Sequence, residues 1–307
     1  MNLDNIEQIL ESPEKLDSLL KLLMSLERIL ESQDEQRYLE AKRFVESANE
    51  DLKASQILYN AGLYSSAVFH MQQATEKYFK AIAIYYFGLS KKNIRKYVKH
   101  DTPKIAILFL RKYQNIVKDL TMFFKDIVPE KYLADTSREY ILNLERLINT
   151  NKRDIAQLNK EEIYKLIKLT RSLVESLESD DTKNKILNTL QDLNNNKSKI
   201  VNKILEVLNL SQISESKLDQ IKKQIIKALD VSFTEAPHNV EIALKLASSI
   251  CMLFFLGIIT YPHATFTRYR QKSAPQYDIG LGIVDSFRDL LELLQLASDN
   301  INNLFNI

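Results

Sequence analysis

Residues Ala41–Gly88 read AKRFVESANEDLKASQILYNAGLYSSAVFHMQQATEKYFKAIAIYYFG, and the spacing of their apolar residues decides the fold. Tyr38, Ala41, Val45, Ala48, Leu52, Ser55 and Tyr59 recur at alternating intervals of three and four, the period of a straight helical packing seam. Gly62 ends that helix, in the manner of a left-handed C-terminal cap. Beyond Gly62-Leu63 the rhythm resumes in Ala67, Met71, Ala74, Tyr78, Ala81 and Tyr85. So short a break forces the two helices into an antiparallel hairpin. The second helix also carries a polar flank. At about 100° per residue, His70, Lys77, Gln73, Lys80 and Glu76 fall in order along one edge of the stripe that contains Ala74. Gln73/Lys77 and Glu76/Lys80 are four apart and can support each other. Such a strip suits the wall of a subunit interface or a phosphate-lined groove, or it caps loops within the bundle.

The rest of the chain agrees with an all-α protein. It has 307 residues, 45% of them hydrophobic, with only 5 Gly and 6 Pro, too few turn formers for a β-sandwich or barrel. Lys and Arg number 42 against 40 Asp and Glu, a formal charge of +2, so a nucleic-acid partner would have to be met by a local patch. The single cysteine, Cys251, lies in the apolar SSICMLFFLGII and reads as a small buried hydrophobe in a reducing compartment. The start MNLDNIEQ lacks the basic-then-apolar layout of a signal peptide, and a cytoplasmic protein is expected. The apolar run Leu246–Tyr261 is shorter than the roughly 20 residues of a membrane span, and Pro262 is expected to end it. It is expected to be a core helix, with no membrane partner.

Residues 1–34 read as N-terminal amphipathic helices, with Ser12-Pro13 as a helix start and Leu16, Leu19, Leu23, Leu26 and Leu30 on one face. From about 127 to 237 the composition shifts to Lys, Asn, Glu, Ser, Ile and Leu. There Ile186, Leu190, Leu193, Ile200, Ile204 and Val207 stand near heptad positions, interrupted at Asn194–Lys197, which suggests long antiparallel helices like those of a coiled coil. Beyond Pro237 the sequence expects an apolar helix over 240–260, a loop with Pro, Arg and Tyr, and a last helix carrying Val284, Phe287, Leu291, Leu294, Ile301 and Leu304. No repeat of fixed period, Gly-rich phosphate loop or paired-Cys site is found, and neither a metal nor a cofactor is expected.

The hairpin resembles the first hairpin of the HEPN (higher eukaryotes and prokaryotes nucleotide-binding) domain. That hairpin runs as a heptad helix, a Gly-Xaa-Tyr turn, then Ala, Gln-Gln-Ala, Glu-Lys and Lys-Ala. The matching positions are Gly62, Tyr64, Ala67, Gln72, Gln73, Ala74, Glu76, Lys77, Lys80 and Ala81. A second similarity lies in HATFTRYRQKSAPQYD, where Arg268-Tyr269 and Tyr277 fit the elements before that domain's last helix and Arg270 stands where Pro is expected. Together they imply an antiparallel helical bundle built from 36–126 and 238–307 and split by a helical insertion at 127–237.

What the resemblance implies for function is of two kinds. HEPN ribonucleases carry an Arg, four to six residues, then a His, and pair two such motifs across a dimer. Arg95 and His100 have that spacing, although Lys96 follows the Arg where Asn, Asp or His is usual. The chemistry needs no metal, since an imidazole can take the proton of a ribose 2′-hydroxyl while a guanidinium stabilises phosphate charge. The other reading is a module that binds nucleotide, RNA or a nucleotidyltransferase partner, in a toxin–antitoxin or defence setting. Lys91, Lys92, Lys96 and Lys99, with Arg268, Arg270 and Lys272, offer phosphate contacts, or simply a solvated lysine-rich surface. The resemblance also implies a homodimer, and on that account favours the interface reading of His70, Gln73, Glu76, Lys77 and Lys80.

Overall fold

The computed structural model describes residues 35–90, 92, 94, 152–207, 215–269 and 275–307. Among them all regular structure is helical, as the composition requires. The first two helices, α1 (Glu35–Asn60) and α2 (Tyr64–Tyr85), form the expected antiparallel hairpin. Its seam is lined by the residues that set the sequence rhythm: Ala41, Val45, Ala48, Leu52 and Ser55 on α1, and Ala67, Met71, Ala74, Tyr78 and Ala81 on α2, all buried. Small residues at so many of these positions let the helices approach closely, and Ser55 donates a hydrogen bond of 2.9 Å across the seam to the carbonyl of Ala67. At the turn Gly62 takes φ +74°, the Gly62 amide donates to the Tyr59 carbonyl and the Leu63 amide to the Leu58 carbonyl. This is a Schellman closure, which a residue with a Cβ would strain.

Five further helices follow among the described residues. These are α3 (Lys152–Ala156), α4 (Lys160–Glu178), α5 (Asp180–Asn195), α6 (Lys197–Val207) and the long α7 (Glu215–Tyr269). The chain then enters α8 (Gly282–Asp285) and α9 (Phe287–Leu304). The described residues divide into two compact units. The smaller holds 180–207 and 215–241, the larger 35–90, 152–179, 242–269 and 275–307.

In the larger unit α2 and α9 share a core with α1, α4, α8 and the C-terminal part of α7. Tyr78, Phe79, Ile82, Ile163, Ile167, Met252, Leu253, Phe287, Leu294 and Phe305 all lie in it. The sequence reading assigns 127–237 as a whole to an insertion, yet Ile163, Ile167 and Val174 of α4 belong to this core. The reason is local. Ile163, Ile167, Thr170 and Val174 repeat at intervals of four, three and four, so α4 has a narrow buried face inside a stretch whose overall composition is polar. The helix begins on a full capping box, the Asn159 side chain accepting from the Glu162 amide at 3.0 Å and the Glu162 carboxylate from the Asn159 amide at 2.9 Å. Gly282, the first residue of α8, presses on that same corner. A Cβ there would lie 2.0 Å from the Leu158 carbonyl oxygen and 2.7 Å from the Asn159 carbonyl carbon.

The expectation that Pro262 ends the apolar helix, and that a separate helix starts after Pro237, is overturned. The helix α7 runs unbroken through both prolines. An interior proline removes one backbone donor at a cost of about 3 kcal/mol. Around Pro262 that loss is offset by burial, since Ile258, Ile259, Thr260, Pro262 and His263 are all enclosed. Its stretch Leu218–His263 is long and apolar enough to cross a membrane by length and composition alone, with half of its most apolar window buried inside the chain.

In the smaller unit the Asn cluster has the effect its chemistry suggests. Asn196 sits between α5 and α6 and receives the Lys199 amide on its carbonyl at 2.9 Å. Lys183 pairs with Glu241 at 3.8 Å and Lys197 with Asp230, so the first turns of α5 and α6 lie against α7.

Candidate functional site

The polar flank of α2 turns out to be tied mostly to its own hairpin. Asp51, on α1, lies between two members of the strip. Its Oδ1 accepts from His70 Nδ1 at 2.7 Å, and its Oδ2 sits 2.6 Å from Lys77 Nζ. The second contact is a close ion pair rather than an aligned hydrogen bond; the directed bond of that ammonium goes to Ser47 Oγ at 2.8 Å. Because a carboxylate only accepts, the His70 proton is fixed on Nδ1, and Nε2 is left as the acceptor of the neutral ring. The His70 side chain is 31% exposed, Lys77 27% and Asp51 13%, so the cluster lies at the margin of the hairpin and stays within reach of solvent.

The other half of the strip is deeper. Glu76, only 3% exposed, accepts from Lys80 Nζ at 2.5 Å and from Gln72 Nε2 at 3.0 Å, and Gln73 donates to Gln72. Of the two supports read from spacing, Glu76/Lys80 forms, whereas Lys77 reaches across to α1. A buried ion pair of this kind is stable only when its remaining polar atoms are also met; Gln72 meets the second oxygen of Glu76 and is itself held by Gln73.

Further along α2, Tyr78 joins three helices. Its hydroxyl lies 2.5 Å from Asn49 Oδ1 on α1 and 2.7 Å from Ser298 Oγ on α9, and Asn49 donates in turn to Asn302 Oδ1 at 3.0 Å. Burial pushes the Tyr78 phenol up to about 12, so it remains a hydrogen-bond donor throughout the working pH range.

A second buried polar pair stands at the far end of α7, where His263 Nδ1 and the Tyr277 hydroxyl are 2.8 Å apart. Complete burial drives the imidazole down to about 3, and burial likewise raises the Tyr277 phenol, so both partners are neutral. The bond joins the α7 end to the segment leading into α8. His263 therefore acts as a fixed structural imidazole. Cys251, whose thiol burial also raises, is half-buried on the same helix.

Of the residues singled out from sequence, the structure brings His70, Lys77, Glu76, Lys80 and Gln73 onto one edge of α2. Lys92 is exposed, and Arg268 is in the last turn of α7. Arg95, His100, Lys91, Lys96, Lys99, Arg270 and Lys272 lie outside the described residues. The partners that complete the cluster, Ser47 and Asp51, are absent from the sequence reading. The available signal was their position four apart on α1, on the flank beside the seam rather than on the seam itself.

No curated protein and no solved structure matches the chain. A family model does, over residues 41–180, a range that takes in the α1–α2 hairpin from Ala41 onward and all of α4. The model is that of the HEPN domain, and the match supports, at the level of that family, a nucleotide- or RNA-related helical protein.

Proposed function

We propose that the chain is a HEPN-like RNA- or nucleotide-binding protein acting as a homodimer in the cytoplasm, in a toxin–antitoxin or defence setting in which a nucleotidyltransferase is a second partner. The observation that carries this reading is the family match over 41–180, which encloses the basic run from Lys91 to Lys99. The exposed Lys92 belongs to that run. The binding bundle in this reading is 36–126 with 238–307, joined by α4 from the intervening segment. Single-stranded RNA binding by the full chain, followed by fluorescence anisotropy over a salt series, tests it. Replacing Lys91, Lys92, Arg268 or Arg270 by Ala should each weaken binding and reduce the salt slope by about 1. Unchanged affinity in all four variants would refute the assignment.

A second reading is favoured by one specific observation, the Arg95-x4-His100 spacing inside the matched range. It makes the protein a metal-independent endoribonuclease. In EDTA it should then cleave single-stranded RNA, leave DNA intact and produce 2′,3′-cyclic phosphate ends. His100→Ala should lower the rate by about two to four orders of magnitude. Intact RNA after incubation with wild type, under conditions in which it binds, would leave only the binding module.

A further inference from the structure

Three of the four histidines lie among the described residues, and their surroundings divide them sharply. His263 is enclosed, neutral and bonded to Tyr277. His238 is exposed on α7. His70 alone of the three combines a carboxylate on one ring nitrogen with access to solvent, through the 2.7 Å contact of Nδ1 with Asp51 and a side chain 31% exposed. A carboxylate that holds Nδ1–H fixes the tautomer, aims the ring and stabilises the imidazolium that forms when Nε2 takes a proton. Lys77 lies against the other oxygen of Asp51 and is itself held by Ser47, so the carboxylate is held from both sides and cannot swing away from the imidazole. A cross-link that merely joined α1 to α2 would be complete with the Asp51–Lys77 pair, which leaves the imidazole unexplained.

We propose that His70, positioned by Asp51, is a proton-transferring catalytic residue acting on the ribose 2′-hydroxyl of an RNA substrate. The proposal rests on the ribonuclease reading but moves uptake of the 2′-hydroxyl proton from the motif imidazole to His70, leaving Arg95 and His100 to stabilise charge on the phosphate. In the step, His70 Nε2 takes the 2′-hydroxyl proton as that oxygen attacks the adjacent phosphorus. A bond forms between the 2′-oxygen and phosphorus, the bond from phosphorus to the 5′-oxygen breaks, and the leaving oxygen takes a proton from water. Asp51 is a positioning residue. The charged groups facing His70 are Asp51 on α1 and, across that carboxylate, Lys77 on α2; the Phe69 ring lies edge-on to the imidazole at 5.4 Å.

The full-length wild type and its His70→Gln, Asp51→Asn and His100→Ala variants should be compared in EDTA. The readouts are cleavage of single-stranded RNA from pH 5 to 9, binding of an uncleavable 2′-O-methyl RNA, and the His70 ring resonances by NMR. With folding confirmed by thermal melting, His70→Gln should lose about 10²- to 10⁴-fold in rate. Asp51→Asn should lower the rate and displace the acidic limb of the pH profile, an effect that loss of a structural link would not produce. The 2′-O-methyl RNA should shift the His70 resonances while binding both variants as tightly as wild type. If His70→Gln and Asp51→Asn cleave with the wild-type rate and pH profile while His100→Ala does not, the proposal is overturned and the ribonuclease reading survives. If wild type binds the 2′-O-methyl RNA but cleaves no RNA, the proposal and the ribonuclease reading fall together and binding stands. If it neither binds nor cleaves, the RNA assignment itself fails. Should either variant fail to melt cooperatively, the wild-type resonances decide: no shift of His70 at saturating 2′-O-methyl RNA refutes its contact with substrate.

Discussion

At the scale of single residues, the most exacting position is Gly282. Its φ is unremarkable, and what forbids a side chain is the Leu158 carbonyl oxygen, 2.0 Å from where a Cβ would stand. Backbone cannot step aside as a flexible side chain can. Gly282→Ala should therefore destabilise by about 2–4 kcal/mol, at or above the usual cost of overpacking, read as a fall in urea midpoint at constant slope. Gly62→Ala tests a different physics, since its Cβ would meet nothing and only the positive φ opposes it. About 1 kcal/mol is expected there. His263 offers a check by pH. Its folded value of about 3 lies below the unfolded value near 6.5, so between these the unfolded chain binds more protons and stability falls as pH falls. The slope should approach about 1.4 kcal/mol per pH unit across that window. His263→Gln should flatten it, measured as unfolding free energy from pH 7 to 4.

At the scale of elements, the hairpin was legible and its neighbours were less so. The seam residues of α1 and α2 could be read from spacing because a helix must repeat its buried positions every three or four residues whatever it packs on. The same reasoning named Val284, Phe287, Leu291, Leu294, Ile301 and Leu304 on one last helix; Val284 falls in α8 and the rest in α9, with Leu291 and Leu304 only partly buried. It failed at α7, because a local rule about proline cannot weigh the burial that surrounds Pro262. It placed α4 in the insertion because composition was read over a hundred residues, whereas four buried positions decide the packing. Cross-helix polar contacts were not legible, since Asp51 looks like any solvated acid until His70 and Lys77 are brought against it. The network on Tyr78 was likewise hidden, and it matters more than its size. Tyr78→Phe removes one hydroxyl but leaves buried polar atoms of Asn49 and Ser298 with one partner fewer. A loss of about 1–3 kcal/mol is expected in thermal or urea unfolding. The Arg171–Glu292 pair, 2.8 Å apart but exposed on both sides, should give within about 1 kcal/mol when Arg171 becomes Ala.

At the scale of the whole molecule, function separates from stability. Of the candidate site, the α2 strip was visible as an unusual row of polar residues, and its pairing with Asp51 and Ser47 required the fold. The structural network of Tyr78 and the mixed cluster at His70 stand on the same helix. A Tyr78→Phe variant should thus lose stability while keeping the cleavage rate and pH profile, and Asp51→Asn should show the reverse emphasis. Measuring both quantities on both variants separates a scaffold defect from a site defect. The hairpin also has a consequence in time. Tyr38, near the start of α1, donates to the carbonyl of Phe305 at 2.7 Å, and Tyr78 shares its hydroxyl with Ser298. Roughly 200 residues separate the end of α2 from the start of α9, which at about 5–20 residues per second is some 10–40 s of synthesis. Throughout that interval the nascent hairpin has its own seam but not the helix that closes its core, with Phe79 and Tyr78 waiting for a partner not yet made. A newborn chain is for those seconds a client for chaperones, and its yield in a cell should fall more steeply with temperature than the melting point of the finished protein would suggest.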